Sequence, residues 1–425
     1  MILRKLPLIV FINLALSLSG LLAQSLSIDQ CYELARKNYP LIKQKELLAR
    51  SMEFTIANAR SGYLPQVAIY AQATYQSDVT RLPTVPGVAI PLVEPLSKDQ
   101  YKIYGELNQT IFDGGVIKNQ SAIQSANTLV EQQKLEVELY KIKERINQIF
   151  FGVLLMDAQL AQVDLLKGDL QTSLTKTESL IRNGTAFKTN ADILRAELLK
   201  SDQRLIEMNT ARKGYLDMLG YFINQPLEAE AVLEKPDLIL FEKSGDIKRP
   251  ELTLYQFQSE LLGAQYKANT TRNMPRLGFF VQGGYGRPAL NALKNEFGTY
   301  YLGGFRMNWS LSGFYNSKRD QQLLDVNTQV VNSQKEVFLF NTNLTLKQQN
   351  QEVDKLQQLI AVDNQIIDLR TRIKSTSKSQ HENGVISTSD FLRELNAEDA
   401  AKQNLLLHQV QLMLAQYNYQ TTSGN

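Results

Sequence analysis

The side chains that most often carry out chemistry are scarce in this chain, which has two histidines and one cysteine among 425 residues. His381-Glu382 resembles the first half of the zinc-protease motif His-Glu-x-x-His, but valine occupies position 385, where that motif needs its second histidine. His408 has no nucleophile or metal-binding pattern around it, and Gly114-Gly115 lacks the Gly-Lys-Ser/Thr ending of a phosphate-binding loop. These residues predict a protein that is not an enzyme and needs no cofactor or bound metal.

The composition is close to that of a water-soluble protein, with 43% hydrophobic residues, 21% charged residues, a mean hydropathy of −0.25 and a net charge of +3. After residue 23 we find no run of the ~20 apolar residues that a spanning helix needs, which argues against a polytopic helical membrane protein. The 46 Lys and Arg nearly balance the 43 Asp and Glu, which argues against a nucleic-acid partner. The single cysteine excludes an intrachain disulfide, so Cys31 is expected to be a small buried residue of the first helix.

Residues 1–23 have the pattern of a secretory signal peptide. Arg4 and Lys5 precede an apolar run over residues 6–16, and small residues follow as far as Ala23. Cleavage is expected near Ala23, and an uncleaved anchor helix is the alternative. The sequence therefore predicts an exported mature chain.

The chain contains an internal duplication. Pro40 and Pro65 are 25 residues apart, as are Pro250 and Pro275. Two later pairs of motifs recur in the same order, namely Asn183-Gly184 with Asn383-Gly384 and Asp192-Ile193-Leu194-Arg195 with Asp390-Phe391-Leu392-Arg393. The repeats predict two copies of one structural unit, over residues 24–246 and 247–425.

Two proline-free segments, residues 96–225 and 289–425, permit very long helices. Apolar residues there recur at steps of three and four, which predicts coiled-coil helices over residues 116–182 and 315–382, each about 100 Å long at ~1.5 Å per residue. The second is rich in Gln and Asn, which is typical of a channel lining or of a solvated coiled coil. A shorter first helix is expected to begin at a capping box at Ser27 and to end near Ser61-Gly62, and its equivalent in the second copy begins after Pro250. Return helices are expected over residues 192–222 and 390–419, and residues 224–246 connect the two copies.

Four segments alternate apolar and polar residues with a period of two, which predicts β-strands over residues 65–76, 101–112, 275–286 and 299–311. Their length suits a membrane-crossing strand, and aromatic residues stand near the strand ends, as at a membrane interface: Tyr63, Tyr75, Tyr101, Tyr285 and Trp309. A half-buried soluble sheet has the same alternation. Because a single-chain bacterial barrel needs about 8 strands, membrane-spanning strands here require several chains to share one barrel.

This combination resembles the TolC-like outer-membrane efflux proteins, or outer membrane factors. The matching motifs are Asn38-Tyr39-Pro40-Leu41, Arg249-Pro250-Glu251-Leu252, Ile111-Phe112-Asp113-Gly114-Gly115, Asn183-Gly184-Thr185 and the turns at Asp192 and Asp390. The resemblance implies an α+β fold in which three chains share a 12-stranded transmembrane β-barrel continued by a periplasmic α-barrel. It also implies a homotrimer in outer-membrane lipid, with a periplasmic membrane-fusion adaptor and an RND- or ABC-type inner-membrane transporter as partners.

The resemblance assigns two kinds of site at the periplasmic end. The turns that adaptor hairpins contact correspond to Asn183-Gly184-Thr185 and Asn383-Gly384-Val385. Asp390 matches the first of two aspartates that line the entrance in relatives, but the second position holds Arg393. Together with Asp192 and Arg195, these residues are candidates either for an entrance gate or for local ion pairs, because charges three positions apart meet on a helix face.

The functional prediction is an outer-membrane exit duct that passively conducts substrate from an adaptor and an inner-membrane transporter to the exterior. An outer-membrane component of type I protein secretion is one alternative. A periplasmic coiled-coil scaffold without a channel is another. The cargo is left open among drugs, metal ions and polypeptides.

Overall fold

The computed structural model describes residues 25–80, 95–236 and 246–425. The predicted signal peptide, part of the first interstrand loop and part of the connector lie outside these ranges. Within them the helices are α1 (Ile28–Asn38), α2 (Ile42–Arg60), α3 (Val116–Tyr140), α4 (Ile142–Arg182), α5 (Lys188–Ile223), α6 (Pro250–Thr271), α7 (Phe314–Glu382) and α8 (Thr388–Ser423). The strands are β1 (Gln66–Tyr75), β2 (Asp99–Phe112), β3 (Arg276–Arg287) and β4 (Gly298–Asn308).

The elements follow the same order in both halves of the chain. Each half has a helix immediately before its strands (α2 or α6), two strands, a long helical stretch and a return helix, and the first half begins with an additional helix, α1. The 69-residue α7 confirms the prediction of an uninterrupted helix in the second proline-free segment. The predicted strands agree with the observed ones to within three residues at every end.

The predicted single helix from Ser27 to Ser61-Gly62 is wrong, because the chain leaves the helix between Asn38 and Ile42. The capping box is present, with Gln30 N–H donating to Ser27 Oγ at 3.3 Å and Ser27 N–H donating to Gln30 Oε1 at 3.1 Å. Tyr39 then takes an extended conformation (φ −63°, ψ 130°), since the ring of Pro40 disfavours helical dihedrals in the residue before it. The predicted helix over 116–182 is present, and α3 and α4 are separated only at Lys141, whose dihedrals remain helical (φ −62°, ψ −19°).

The first compact unit comprises residues 25–44, 135–236, 246–251 and 337–425. Its main core is formed by α1, the end of α3, α4, α5 and α8. Apolar residues that recur at steps of three and four are buried there: Leu135, Leu139, Ile142, Ile146, Ile149 and Val153. Cys31 is fully buried, as predicted, and burial raises the pKa of its thiol to about 12. A window within residues 116–182 is long and apolar enough to cross a membrane by composition. Phe150, Phe151 and Val153 of that stretch are buried in the core, so packing accounts for part of its apolarity.

The second compact unit comprises residues 45–80, 95–134 and 252–336. It contains one antiparallel sheet in the order β1-β2-β3-β4. The register aligns odd-numbered residues with odd-numbered residues across all four strands, for example Ile69 with Gly105, Gly105 with Gly283 and Gly283 with Tyr301. A β-bulge at Ile111 shifts the register near the end of β2. All odd positions before this bulge therefore share one face of the sheet.

Candidate functional site

One face of the sheet is apolar and exposed. Its odd-numbered side chains include Ile69 at 78% exposure, Phe305 at 71% and Met307 at 66%. Val67, Ile103 and Val281 lie on the same face and are also exposed. The chain leaves 39% to 78% of these apolar side chains uncovered. A continuous exposed apolar surface of this kind marks an interaction with a protein or a membrane.

The opposite face is polar and carries a hydrogen-bonded network centred on Glu106. The Glu106 carboxylate accepts from Asn108 Nδ2 at 2.7 Å and from the Gln282 side chain, and Arg306 lies at 3.4 Å. Glu106 is only 7% exposed, and the Arg306 guanidinium lies 4.4 Å from the centre of the Phe280 ring. A buried carboxylate is stable there because hydrogen bonds and a cation compensate it.

The sheet has two unpartnered edges. In the described residues β1 pairs only with β2, and β4 pairs only with β3. Each edge strand therefore has a row of backbone N–H and C=O groups that lacks a β-sheet partner. Ten residues of β1 and eleven of β4 are available for pairing with another chain.

The five predicted interface aromatics are all exposed and lie at the two ends of the sheet. Tyr75, Tyr101 and Tyr285 stand at the end nearest the interstrand loops, where Ala73 pairs with Tyr101 and Ile103 with Tyr285. Tyr63 precedes β1 and Trp309 follows β4, at the end where the strands join the helices. Their exposed fractions range from 43% for Tyr63 to 78% for Tyr75.

The two junctions between strand and long helix differ. After β2, the Asp113 carboxylate accepts hydrogen bonds from Gly115 N at 2.9 Å and Ile117 N at 2.7 Å, which caps the start of α3. Gly114 has a φ of +70°, and a Cβ there would lie 2.6 Å from that of Met274. After β4, a short 3₁₀ helix at Leu311–Gly313 leads into α7 instead. An aspartate followed by glycines at a strand end is a local signal for the first junction alone.

The two predicted tip turns have the same backbone hydrogen bonds. Gly184 N–H donates to Ile181 O at 3.0 Å and Thr185 N–H donates to Leu180 O at 2.9 Å. Gly384 N–H donates to His381 O at 3.0 Å and Val385 N–H donates to Gln380 O at 2.8 Å. This pattern is the Schellman motif, which ends a helix on a residue in the left-handed region. Here those residues are Gly184 and Gly384, with φ of +76° and +71°.

The two return helices begin differently. Ser387 caps α8, because its hydroxyl accepts from Asp390 N–H at 3.1 Å and donates to the Asp390 carboxylate at 2.7 Å. The equivalent position before α5 is Phe187, which makes no side-chain cap and is 79% exposed. The first turn therefore presents an aromatic ring to solvent where the second presents a hydroxyl.

Both predicted Asp–Arg pairs come together. Arg195 lies 3.1 Å from Asp192 and 2.8 Å from Glu178, whose hydrogen bond raises the pKa of the guanidinium. Arg393 lies 3.6 Å from Asp390. Hydrogen bonds from Ser387, and then the charge of Arg393, lower the pKa of Asp390. In both pairs the arginine faces the aspartate, so neither carboxylate stands alone.

Packing brings the ends of the two helical hairpins together. One apolar cluster combines residues of α4, α5 and α8: Leu166, Leu170, Leu174, Ala191, Leu194, Phe391, Leu392 and Leu395. Lys176 on α4 lies 2.9 Å from Glu382 on α7, next to the second turn. The His381 ring stacks on Phe391 with centroids 5.2 Å apart, so this histidine packs at the hairpin end.

A partly buried charged cluster behind the turns was not predicted from the sequence. Lys374 on α7 lies 2.9 Å from both Asp169 on α4 and Glu398 on α8. Burial alone lowers the pKa of Lys374, but hydrogen bonds to the two carboxylates outweigh it and raise that pKa. The next residue, Asp399, is 4% exposed and contacts Gln162 and Arg204. Spacing along the sequence gives no sign of this cluster, since its members come from four helices.

The folded state shifts the pKa values of the two adjacent carboxyl groups of the cluster in opposite directions. For Glu398, burial raises the pKa, but hydrogen bonds from Lys374, Thr371 and Lys402 more than offset this and lower it. For Asp399, burial dominates and raises the pKa despite the contacts with Gln162 and Arg204. The described residues contain no group of three or more His, Cys, Asp or Glu side chains that could hold a metal ion.

Comparison with known proteins identifies the fold. No protein-family model matches the chain, and no curated protein matches its sequence significantly. Solved structures do match over more than nine-tenths of the chain. The outer membrane protein VceC of Vibrio cholerae has a TM-score of 0.64 at 13% identity, covering 92% of this chain and 95% of its own.

Two further outer-membrane channels are equally similar. For CmeC of Campylobacter jejuni the TM-score is 0.64 at 12% identity, with 93% of this chain and 85% of CmeC covered. For the open state of MtrE of Neisseria gonorrhoeae the TM-score is 0.64 at 11% identity, with 94% of this chain and 89% of MtrE covered. The chain has the fold of the TolC-like outer-membrane channels, which confirms the α+β architecture predicted from the sequence.

Proposed function

We propose that this protein is one subunit of a trimeric outer-membrane channel that conducts substrate passively out of the periplasm. The observation that carries the proposal is the sheet of four strands, which has an exposed apolar face and two unpartnered edges. The similar solved structures are named as outer-membrane proteins or channels, which supports the same location for this chain.

The sheet favours a shared barrel for a physical reason. Backbone groups at an open sheet edge cannot be hydrogen-bonded in lipid, so strands that span a membrane must close into a barrel. Four strands are too few to close, since barrels of one chain need about 8. If β4 of each copy paired with β1 of the next, three copies would give twelve strands. Every strand would then have a partner on both sides. The apolar face would then contact lipid, and the aromatic residues at both sheet ends would lie at the two membrane interfaces.

The helical hairpins are proposed to stand in the periplasm, with the two tip turns contacting a membrane-fusion adaptor. The turns are rigidly defined by their Schellman motifs, and Phe187 and Val385 expose 79% and 69% of their surfaces beside them. Exposed apolar side chains on a fixed backbone suit a docking contact with the hairpin of a partner. The inner-membrane transporter of the complex, of RND or ABC type, would supply the energy.

Planar-bilayer recording of the purified protein tests the channel directly. We expect detergent-extracted protein to run as a trimer and to open stable pores in a lipid bilayer. A water-soluble monomer without conductance would contradict the proposal and favour a periplasmic scaffold.

The cargo decides between efflux and type I protein secretion. Deletion of the gene should be followed by a toxicant-sensitivity panel and a comparison of secreted proteins in the same strain. Sensitivity with an unchanged secretome would indicate small-molecule efflux. The reverse result would indicate protein export.

A further inference from the structure

The polar face of the sheet carries an excess of positive charge, and we propose that it makes the barrel passage selective for anions. This inference rests on the proposed channel, in which the polar face lines the lumen. The charged residues on that face are Lys102, Glu106, Arg276 and Arg306, three basic side chains and one acidic one. The substrate class this favours is small inorganic anions and organic anions such as carboxylates.

The register places all four charges on one face. Lys102 pairs with Gln72 and Gly286, Glu106 with Ala68 and Gln282, and Arg276 and Arg306 with even-numbered residues of the neighbouring strand. Even positions lie opposite the exposed apolar side chains, because successive side chains of a strand alternate between the two faces. The four charges therefore face away from the lipid-exposed surface of the proposed barrel.

The only acidic side chain of this set is already neutralised. Glu106 is 7% exposed, lies 3.4 Å from Arg306 and accepts hydrogen bonds from Asn108 and Gln282. Its oxygens are therefore occupied by groups of the same sheet. A cation passing along this face would have to displace Arg306 to reach the carboxylate.

The remaining two basic side chains have no such compensation. Among the described residues no carboxylate lies within ion-pair distance of Lys102 or Arg276. Gly286 and Gly298 occupy the positions beside Lys102 in the same row of the sheet, so no side chain covers the ammonium group from that side. Asp113 lines the same hollow as Arg276, but it is 8% exposed and holds two amides of the α3 terminus.

The two uncompensated charges lie near opposite ends of the sheet. Lys102 is close to the interstrand loops, and Arg276 is the first residue of β3, next to the helices. In a trimer each position would form a ring of three cations around the lumen. Rings of Lys or Arg favour anions, and low-dielectric walls strengthen their field.

The test is ion selectivity of the purified trimer in a planar bilayer with a potassium chloride gradient. We expect chloride to permeate about threefold better than potassium at low ionic strength, where screening is weak. K102Q and R276Q should each reduce this ratio, and the double variant should bring it close to one. E106Q should increase it, because Arg306 then loses its neutralising partner.

R287Q is the matched control. Arg287 lies beside Gly286 in β3, but it contacts the Tyr101 ring and Asp99 on the apolar face, so its removal should leave the ratio unchanged. A conducting trimer that prefers potassium would overturn the inference, and so would a chloride-to-potassium permeability ratio that K102Q and R276Q leave unchanged. Neither result would contradict the proposed channel. A trimer without conductance would overturn both.

Discussion

Gly184 and Gly384, two hundred residues apart in the chain, hold the same left-handed backbone conformation in two copies of one helix-ending motif. Their φ angles are +76° and +71°, and a Cβ added to either would meet no atom within 4 Å. Space is therefore not what requires glycine at these turns. The requirement is conformational, since side chains other than glycine, and to a lesser extent asparagine, are strained in the left-handed region.

Valine at either turn should loosen it, whereas asparagine should be tolerated. We expect G184V to cost about 1–2 kcal/mol locally, so that the amide of Thr185, which donates to Leu180 O, exchanges with solvent about 5–30-fold faster. G184N should exchange at nearly the wild-type rate. Hydrogen-exchange mass spectrometry of the trimer makes the comparison, and equal rates in both variants would contradict the conformational explanation.

The same variants test docking of the proposed adaptor. The double variant G184V/G384V should lose export while the trimer stays in the membrane, because a loosened turn no longer presents a fixed surface. G168A is the control, since Gly168 lies within α4 with no atom within 4 Å of an added Cβ. Normal export by the double valine variant would exclude docking at these turns.

Trp309 reports the depth of the sheet in the membrane, because it is the only tryptophan in the chain. It is 51% exposed at the end of β4, and its indole N–H donates to Asn273 O at 3.0 Å. We expect lipids brominated near the headgroup to quench its fluorescence more strongly than lipids brominated near the chain end, since tryptophan prefers the interface. Quenching by acrylamide alone would place Trp309 outside the membrane.

The open edges of the sheet predict that cysteines placed on β1 and β4 form disulfides between neighbouring chains. I69C combined with Y301C, G303C or F305C should yield disulfide-linked dimers and trimers in at least one combination, because odd positions share the face. Native Cys31 should form no disulfide, since it is buried and its thiol pKa is raised to about 12. I103C is the control partner, because β2 already pairs on both sides. Monomers in every edge combination would contradict the shared barrel.

Removal of Lys374 should destabilise the helical hairpins strongly. K374M leaves Glu398, at 4% exposure, with Lys402 at 3.2 Å as its remaining cation, and removing one partner of a buried pair costs up to about 3 kcal/mol. R372M removes an exposed arginine that pairs with Asp368 at 2.6 Å, and should cost less than about 1 kcal/mol. Thermal unfolding of both variants measures these losses of stability. Equal losses in K374M and R372M would show that Lys374 contributes little to stability.

Glu398 and Asp399 should give pH dependences of opposite sign. The folded state lowers the pKa of Glu398, so the stability that this carboxylate contributes is present above its ordinary pKa of 4.5 and is lost as pH falls through the lowered value. The folded state raises the pKa of Asp399, so its contribution falls as pH rises from 3.8 through the raised value. The thermal midpoint of D399N, relative to wild type, should therefore improve towards neutral pH.

E398Q should change in the other direction, becoming less stable relative to wild type as pH rises from the acidic side. Melting curves of wild type and both variants across the acidic range provide the measurement. Parallel curves for the three proteins would show that neither carboxyl has a shifted pKa.

Local patterns predicted the elements of this protein well, because their causes lie within a few residues. Period-two alternation specified the strands, and the absence of proline specified α7. The Asn-Gly pairs specified the turns through the dihedral freedom of glycine. The single helix expected from Ser27 to Ser61-Gly62 is broken at Pro40, because proline disfavours helical dihedrals in Tyr39 although both flanking segments are helical.

The tertiary structure alone decided which charges meet. Glu106 and Arg306 are 200 residues apart, and Lys374 and Asp169 are 205 residues apart, so no spacing rule connects them. The sequence by itself determined that the chain would have long helices, four amphipathic strands and two glycine turns. Only the fold determined that Glu106 is neutralised while Lys102 and Arg276 are not, because that depends on which strands are neighbours and in what register they pair.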